Sequence, residues 1–193
     1  MRRLASDIAF LALATLSVLL SWRLGASIKQ QEVLNEALAR PSVGTLISPL
    51  QAITTTGDSL VVGDSDHGGP VEFLVFLSTT CEFCISSMPA LTEIDREMQE
   101  MFGARLVAVS MDSTEATIRF LRDSQAALPT VSLPGRIVPR HFRVFAVPTL
   151  LAVDRQHEVL WARVGPLRSR AVQDSVLAVV ARLYNTPQLE ARE

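Results

Sequence analysis

The sequence predicts an α/β domain, a mixed β-sheet flanked by helices, preceded by an N-terminal transmembrane helix. Three observations predict it. An uncharged apolar run from Ile8 to Trp22 sits behind Arg2 and Arg3; a nearly continuous apolar stretch of strand length, Val71 to Leu77, leads into apolar residues at helical spacing; and strand-length and helix-length segments alternate from there to the C-terminus. With 193 residues, 48% of them apolar and only 20% charged, the chain has room for one domain with its own core and for an extra segment.

The extra segment is residues 1–26. Its apolar core is shorter than the roughly 20 residues that span a bilayer, but Leu4, Ala5 and Leu24 to Ala26 extend it, with Asp7 and Arg23 left for the interfaces. A cleavable signal peptide is the alternative, and the large Leu24 next to Arg23 makes a poor cleavage site, so an uncleaved anchor is favoured. In either case the rest of the chain is exported, which places the domain on the extracytoplasmic (periplasmic) side of a single-pass membrane protein. The basic residues on the two sides, Arg2 and Arg3 against Arg23 and Lys29, give only a small orientation bias. A formal net charge of −2 and the lack of any Lys/Arg cluster exclude a nucleic-acid footprint.

Residues 27–42 read as a stalk or linker, helical from Ser27 to Arg40 with a thin stripe of Ile28, Leu34 and Leu38, and stopped by Pro41. Residues 43–184 form the folded domain, and 185–193 a polar tail. Within the domain, Leu46 to Thr54 and Leu60 to Val62 flank Thr56-Gly57-Asp58 as a hairpin, and Asp64 to Pro70 is a loop whose turn residues fit no calcium site. Val71 to Leu77 is a buried strand, and Met88, Leu91, Ile94, Met98 and Met101 mark a helix from Cys84 to Phe102. A strand at Arg105 to Ser110, a helix at Thr114 to Arg122, a short strand at Thr130 to Leu133 and a helical turn at Ile137 to Phe142 follow. Strands Thr149 to Asp154 and Val159 to Val164 flank a turn at Arg155 to His157, and a helix from Ser169 to Leu183 closes the domain. This order implies parallel pairing in the first half of the sheet and an antiparallel pair in the second.

The chemistry lies in Cys81-Glu82-Phe83-Cys84, where the buried strand gives way to the helix. A cysteine at a helix N-terminus meets the positive end of the dipole and unpaired amides, which favour thiolate over thiol. Cys81 is therefore the expected nucleophile. Cys84, one helical turn on, is the expected resolving thiol that attacks a mixed disulfide formed on Cys81. Zinc would need four ligands, and beyond the pair only the scattered His67, His141 and His157 are available, so no metal is expected. A purely structural disulfide would close too small a loop to constrain the unfolded chain. No cofactor is implied.

Two prolines strengthen the pattern. Pro89 falls inside the helix after Cys84, where a proline removes a hydrogen bond and kinks the axis, and Val147-Pro148-Thr149 stands at the entry of an apolar strand. On Phe73-Leu-Val-Phe-Leu-Ser-Thr-Thr-Cys-Glu-Phe-Cys84, Met88-Pro89 and Val147-Pro148-Thr149, the stretch Val43 to Leu183 resembles the thioredoxin superfamily, and within it the membrane-anchored TlpA/ResA-like thiol-disulfide oxidoreductases. Phe76 to Cys81 behind an anchor is also similar to the MauD-type accessory proteins of methylamine dehydrogenase maturation. The resemblance implies an exposed, attacking Cys81, a cis Pro148 beside the dithiol, and a Val147 backbone that binds substrate by strand addition. It implies protein disulfide substrates and a membrane or periplasmic thiol electron donor as partners.

The sequence also departs from the family. Thr80 replaces the usual aromatic before the first cysteine, Ser87 replaces a glutamate found in some reductases, and Val75 replaces the buried acid of thioredoxins. The proton acceptor for Cys84 is then expected to be water, Glu82 or Glu72. A glutamate beside Cys81 opposes its thiolate and points towards reductase or isomerase chemistry. Two alternatives stay open: a thiol peroxidase, suggested by the hydroxyl of Ser78 three residues before Cys81, with Leu74 where peroxiredoxins keep proline, and a thioredoxin-fold copper chaperone using both thiols and His141.

Overall fold

The computed structural model describes Arg23, residues 41–65 and residues 69–186. The expected membrane anchor, nearly all of the stalk, the centre of the 64–70 loop and the end of the tail lie outside the described residues. Among the described residues no helix is long and apolar enough to cross a membrane.

Strands β1 (Leu50–Ile53) and β2 (Ser59–Val62) pair antiparallel as a separate two-stranded sheet. The ladder starts later than the expected Leu46, because Pro49 brings no amide to it. Leu46 instead bridges to Glu158.

The main sheet comprises β3 (Val71–Leu77), β4 (Leu106–Ser110), β5 (Thr130–Ser132), β6 (Thr149–Asp154) and β7 (Val159–Val164), in the order β5-β4-β3-β6-β7. β3 runs parallel to β4 and β4 to β5, whereas β6 is antiparallel to both β3 and β7. Helices α1 (Glu82–Phe102), α2 (Thr114–Asp123), α3 (Ile137–Phe142) and α4 (Arg170–Tyr184) connect and close it. α1 runs on through Pro89 and ends at Gly103, whose left-handed φ of 65° lets its amide turn back to the carbonyls of Met98 and Gln99.

β3 is buried along its whole length because both faces are covered. The period-two alternation of a strand sends Phe73, Val75 and Leu77 to one layer, with Met88, Leu91, Ile94 and Met98 of α1, Phe120 of α2 and Val180 of α4. Leu74 and Phe76 go to the other, with Val62 of the hairpin and Val138 and Phe142 of α3. The second layer is thus built by a short helix and a hairpin rather than by long helices.

Both sheet edges are partly occupied, which blunts edge-to-edge association. Thr55 donates to Thr130 O beside β5, and Gly44 and Thr45 bond with Val159 on β7, each at 2.8 to 2.9 Å.

Register places the site. Leu77 of β3 and Ser110 of β4 are partners in the parallel ladder, and the Met111 amide donates to Leu77 O at 3.0 Å. The segments leaving these two strands therefore emerge side by side at the carboxyl edge of the sheet. Parallel sheets habitually place their reactive groups there.

Candidate active site

Cys81 is the N-cap of α1, with extended backbone (φ −84°, ψ 112°), and its sulfur accepts the Cys84 amide at 3.2 Å. It does what serine or aspartate does at an N-cap, presenting an acceptor to an amide that has no partner within the helix. Cys81 is half-buried, Cys84 is fully buried, and both are free thiols. Of the two, only Cys81 reaches the surface.

Burial pushes the Cys84 thiol up to about 12, with its hydrogen bond to Cys81 adding to the effect; the Ser78 backbone pulls the other way, and the charges of Cys81 and Asp112 push up again. Cys84 is thus a group held protonated beside a half-buried neighbour. It cannot attack without giving up that proton.

Val147 and Pro148 are brought to the same place from far along the chain. The Val147–Pro148 peptide bond is cis, and the Cys81 thiol donates to Val147 O at 3.6 Å. Thr149 Oγ1 donates to Ala146 O at 2.6 Å, and the Gly165 amide to Pro148 O at 2.9 Å. These bonds fix the loop that lies against the dithiol.

The expectation that Glu72 could serve Cys84 is corrected by the parity of β3. Glu72 shares the even-numbered face with Leu74 and Phe76, opposite the Val75 and Leu77 face that packs on Cys84. Its Oε2 accepts the Gly63 amide at 2.7 Å. Glu82 is exposed at the first turn of α1.

The acid on the turn before Cys81 is Asp112, which sequence reasoning missed. Its Oδ2 accepts Thr79 N at 2.6 Å and Ser78 Oγ at 2.9 Å, so it braces the turn that delivers Cys81. An acidic residue just past the expected strand Arg105 to Ser110 was the available signal, since that strand is parallel to the one carrying the cysteines.

The first turn of α1 has further supports. Ser87, which stands in the position of the reductase glutamate, donates to Phe83 O at 2.6 Å and accepts the Leu167 amide at 3.0 Å. The Arg168 guanidinium lies 5.1 Å from the centroid of the Phe83 ring, a cation–π distance, and its Nε donates to Ser86 Oγ at 2.9 Å. The loop after β7 thereby grips the active-site helix.

Features behind the two alternatives are placed differently. The Ser78 hydroxyl is engaged by Asp112 and Thr80. Among the described residues no three His, Cys, Asp or Glu side chains are grouped to hold a metal ion, so His141 does not complete a ligand set with the two thiols.

Comparison with known proteins agrees with this geometry. Residues 50–162 match the AhpC/TSA family. A search of curated protein sequences returned no match. Among solved structures, the Chlorobium tepidum protein assigned as the thiol:disulfide interchange protein DsbE aligns at 25% identity with a TM-score of 0.61, over 72% of this chain and 98% of that one. StoA from Bacillus subtilis aligns at 14% identity and a TM-score of 0.56, over 68% and 98% of the two chains. A secreted Mycobacterium tuberculosis disulfide oxidoreductase homologous to E. coli DsbE aligns at 16% identity and a TM-score of 0.56, over 69% and 95%. The last two likenesses speak for the fold, and with the family match over more than half of the chain they lead to one statement: this protein belongs to the AhpC/TSA family and has the thioredoxin-like fold of thiol-disulfide oxidoreductases.

Proposed function

We propose that the chain exchanges disulfides with extracytoplasmic proteins through a Cys81/Cys84 dithiol, Cys81 attacking and Cys84 resolving. One observation carries this reading: a half-buried sulfur at a helix N-terminus accepts the backbone amide of a second cysteine, one turn on, whose own thiol is fully buried. Attack by the outer sulfur on a partner's disulfide forms a mixed disulfide and releases one partner thiol. Attack by the inner sulfur then closes the Cys81–Cys84 bond and releases the other.

Val147 and Pro148 form the substrate-binding loop, with the Val147 backbone as the template for an extended partner segment. Phe83, Ile85 and Phe145, exposed by 50%, 49% and 60%, supply an apolar rim suited to a protein partner. The exposed Glu82 beside Cys81 favours the reductase or isomerase direction. An anchor at residues 1–26 and a stalk at 27–42 hold the domain, residues 43–184, on the periplasmic face of the membrane, where a membrane or periplasmic thiol donor recharges it.

Trapping tests the reading. In Cys84→Ser full-length protein, mixed disulfides on Cys81 accumulate and identify partners by mass, and Cys81→Ser accumulates none. Absence of any adduct on Cys81, or failure of the wild-type pair to form a reversible disulfide, overturns the proposal. An alkaline phosphatase fused at the C-terminus is active if the domain is exported and silent if it is not.

A further inference from the structure

The turn that carries Cys81 has a different neighbour on each flank. The sheet order β5-β4-β3-β6-β7 puts the Val147–Pro148 loop, which leads into β6, on one side of the end of β3. On the other side stands α2, which connects β4 to β5. An open groove of about 560 Å³ runs between α1 and α2, and Thr79 and Thr80, the two residues before Cys81, line it.

We propose that this groove is a specificity pocket for the disulfide-bearing partner, taking a large uncharged apolar side chain that lies a few residues from the cysteine under attack. The inference rests on the exchange reading above and names the kind of partner segment that the site selects.

The composition of the groove defines the occupant. Met88 and Phe120, 1% and 9% exposed, belong to the buried core and form its floor. Ile85, 49% exposed, and Pro89 make the α1 wall, and Ala116 the facing one. An isoleucine left half bare is an apolar surface that gains by being covered. Pro89 brings no amide to Ile85 O one turn back, so the same wall carries a carbonyl without its regular helical partner. Arg119 and Asp123 are the charged groups of the lining and have opposite signs. With no net charge, the groove reads apolar shape rather than charge.

The covalent step decides which molecule fills it. A mixed disulfide on Cys81 fixes the partner's cysteine at the residue that follows Thr79 and Thr80, so the chain flanking that cysteine is held beside the groove. An extended segment advances about 3.3 Å per residue, and a side chain roughly two to four residues from the cysteine reaches past the two threonines. The tether makes this contact intramolecular, so a modest apolar interaction is enough. A free ligand or a second copy of this chain has no such tether. Ile85 also belongs to the exposed apolar rim with Phe83, which makes the groove continuous with the surface around the dithiol.

The test uses the full-length reduced protein and short glycine-serine peptides whose single cysteine is capped with thionitrobenzoate. The Cys81 thiolate bonds to the peptide sulfur, and the bond to the cap breaks with its electron pair on the coloured thionitrobenzoate, the better leaving group. Cys84 then gives up its proton to water and bonds to Cys81, releasing the peptide thiol; the dithiol is oxidised by two electrons and the capped peptide reduced by two. One leucine is moved through the positions on either side of the cysteine. In the wild type, leucine at a position within this reach raises the second-order rate of colour release about tenfold over the leucine-free peptide, and lysine or glutamate at the same position does not. Ala116→Trp, which fills the groove, brings that ratio to within about twofold while the leucine-free peptide still reacts, and the smaller insertion Ala116→Leu lowers it part of the way. A wild type that reacts with all peptides alike, a preference met equally by glutamate, or a leucine preference that survives both variants overturns the inference and leaves the exchange reading standing. A wild type that releases no colour from any peptide overturns both.

Discussion

The two ends of β3 each hold a buried ionisable group, and they have opposite fates. At the amino end Glu72 is pushed up to about 8, first by burial, with Asp64 adding to the effect and the Gly63 amide opposing it. At the carboxyl end Cys84 is pushed up to about 12 by burial and by Cys81. Burial perturbs both, so perturbation alone does not mark chemistry. The difference lies in the neighbours: the Glu72 carboxyl meets a backbone amide, whereas Cys84 gives its own amide to a second sulfur that is only half-buried.

Substitutions at the two ends sharpen the contrast. The largest expected effect is Cys81→Ser, which lowers disulfide exchange by roughly three orders of magnitude or more in a thiol-release assay, against a change within twofold for Glu72→Gln. Equal losses from the two would erase the distinction.

Glu72→Gln should instead act on stability. The folded protein holds the Glu72 proton up to about pH 8, while the unfolded chain releases it near 4.5, so folding stability is full below the lower value and falls as pH rises towards the higher. The wild type should lose on the order of a few kcal/mol between pH 5 and pH 8 in urea titrations, and the glutamine variant should flatten that slope. A wild-type slope of the opposite sign would contradict the burial of Glu72.

Gly63→Ala probes the same end through the backbone. Gly63 has a φ of 88°, and an added Cβ would stand 2.9 Å from Ile47 Cδ1, the mobile end of a side chain, and 3.4 Å from the Phe142 ring. A loss of about 1–3 kcal/mol is expected, with exchange unaffected. The smallest effect belongs to Ser169→Ala, which removes the side-chain acceptor for the Val172 amide at the start of α4 and costs about 1 kcal/mol by thermal melting.

Much of this architecture was legible in the residues. Val71 to Leu77, Ile137 to Phe142, Thr149 to Asp154 and Val159 to Val164 have the bounds that their apolar runs and flanking turn residues suggested. The hairpin was overextended because Leu46 and Ile47 carry a strand-like texture but bond to the β6–β7 turn region rather than to each other's neighbours. Glu72 was misjudged although its parity relative to Val75 already put it on the other face of the sheet. Asp112 was hidden for a different reason, since nothing local ties it to Cys81; only the parallel ladder between β3 and β4 joins them. Arg168 and Leu167 reach α1 across the whole second half of the domain, a contact that no spacing rule encodes.

That reach bears on how the chain is made. Ser87 finds Leu167 across 80 positions and Cys81 finds Val147 across 66. A chain synthesised from its N-terminus releases both sulfurs long before the loop and strand that enclose them. Until the segments that carry Val147 and Leu167 follow, neither of these contacts exists, so the surroundings that set the two sulfurs apart are completed only by the second half of the domain.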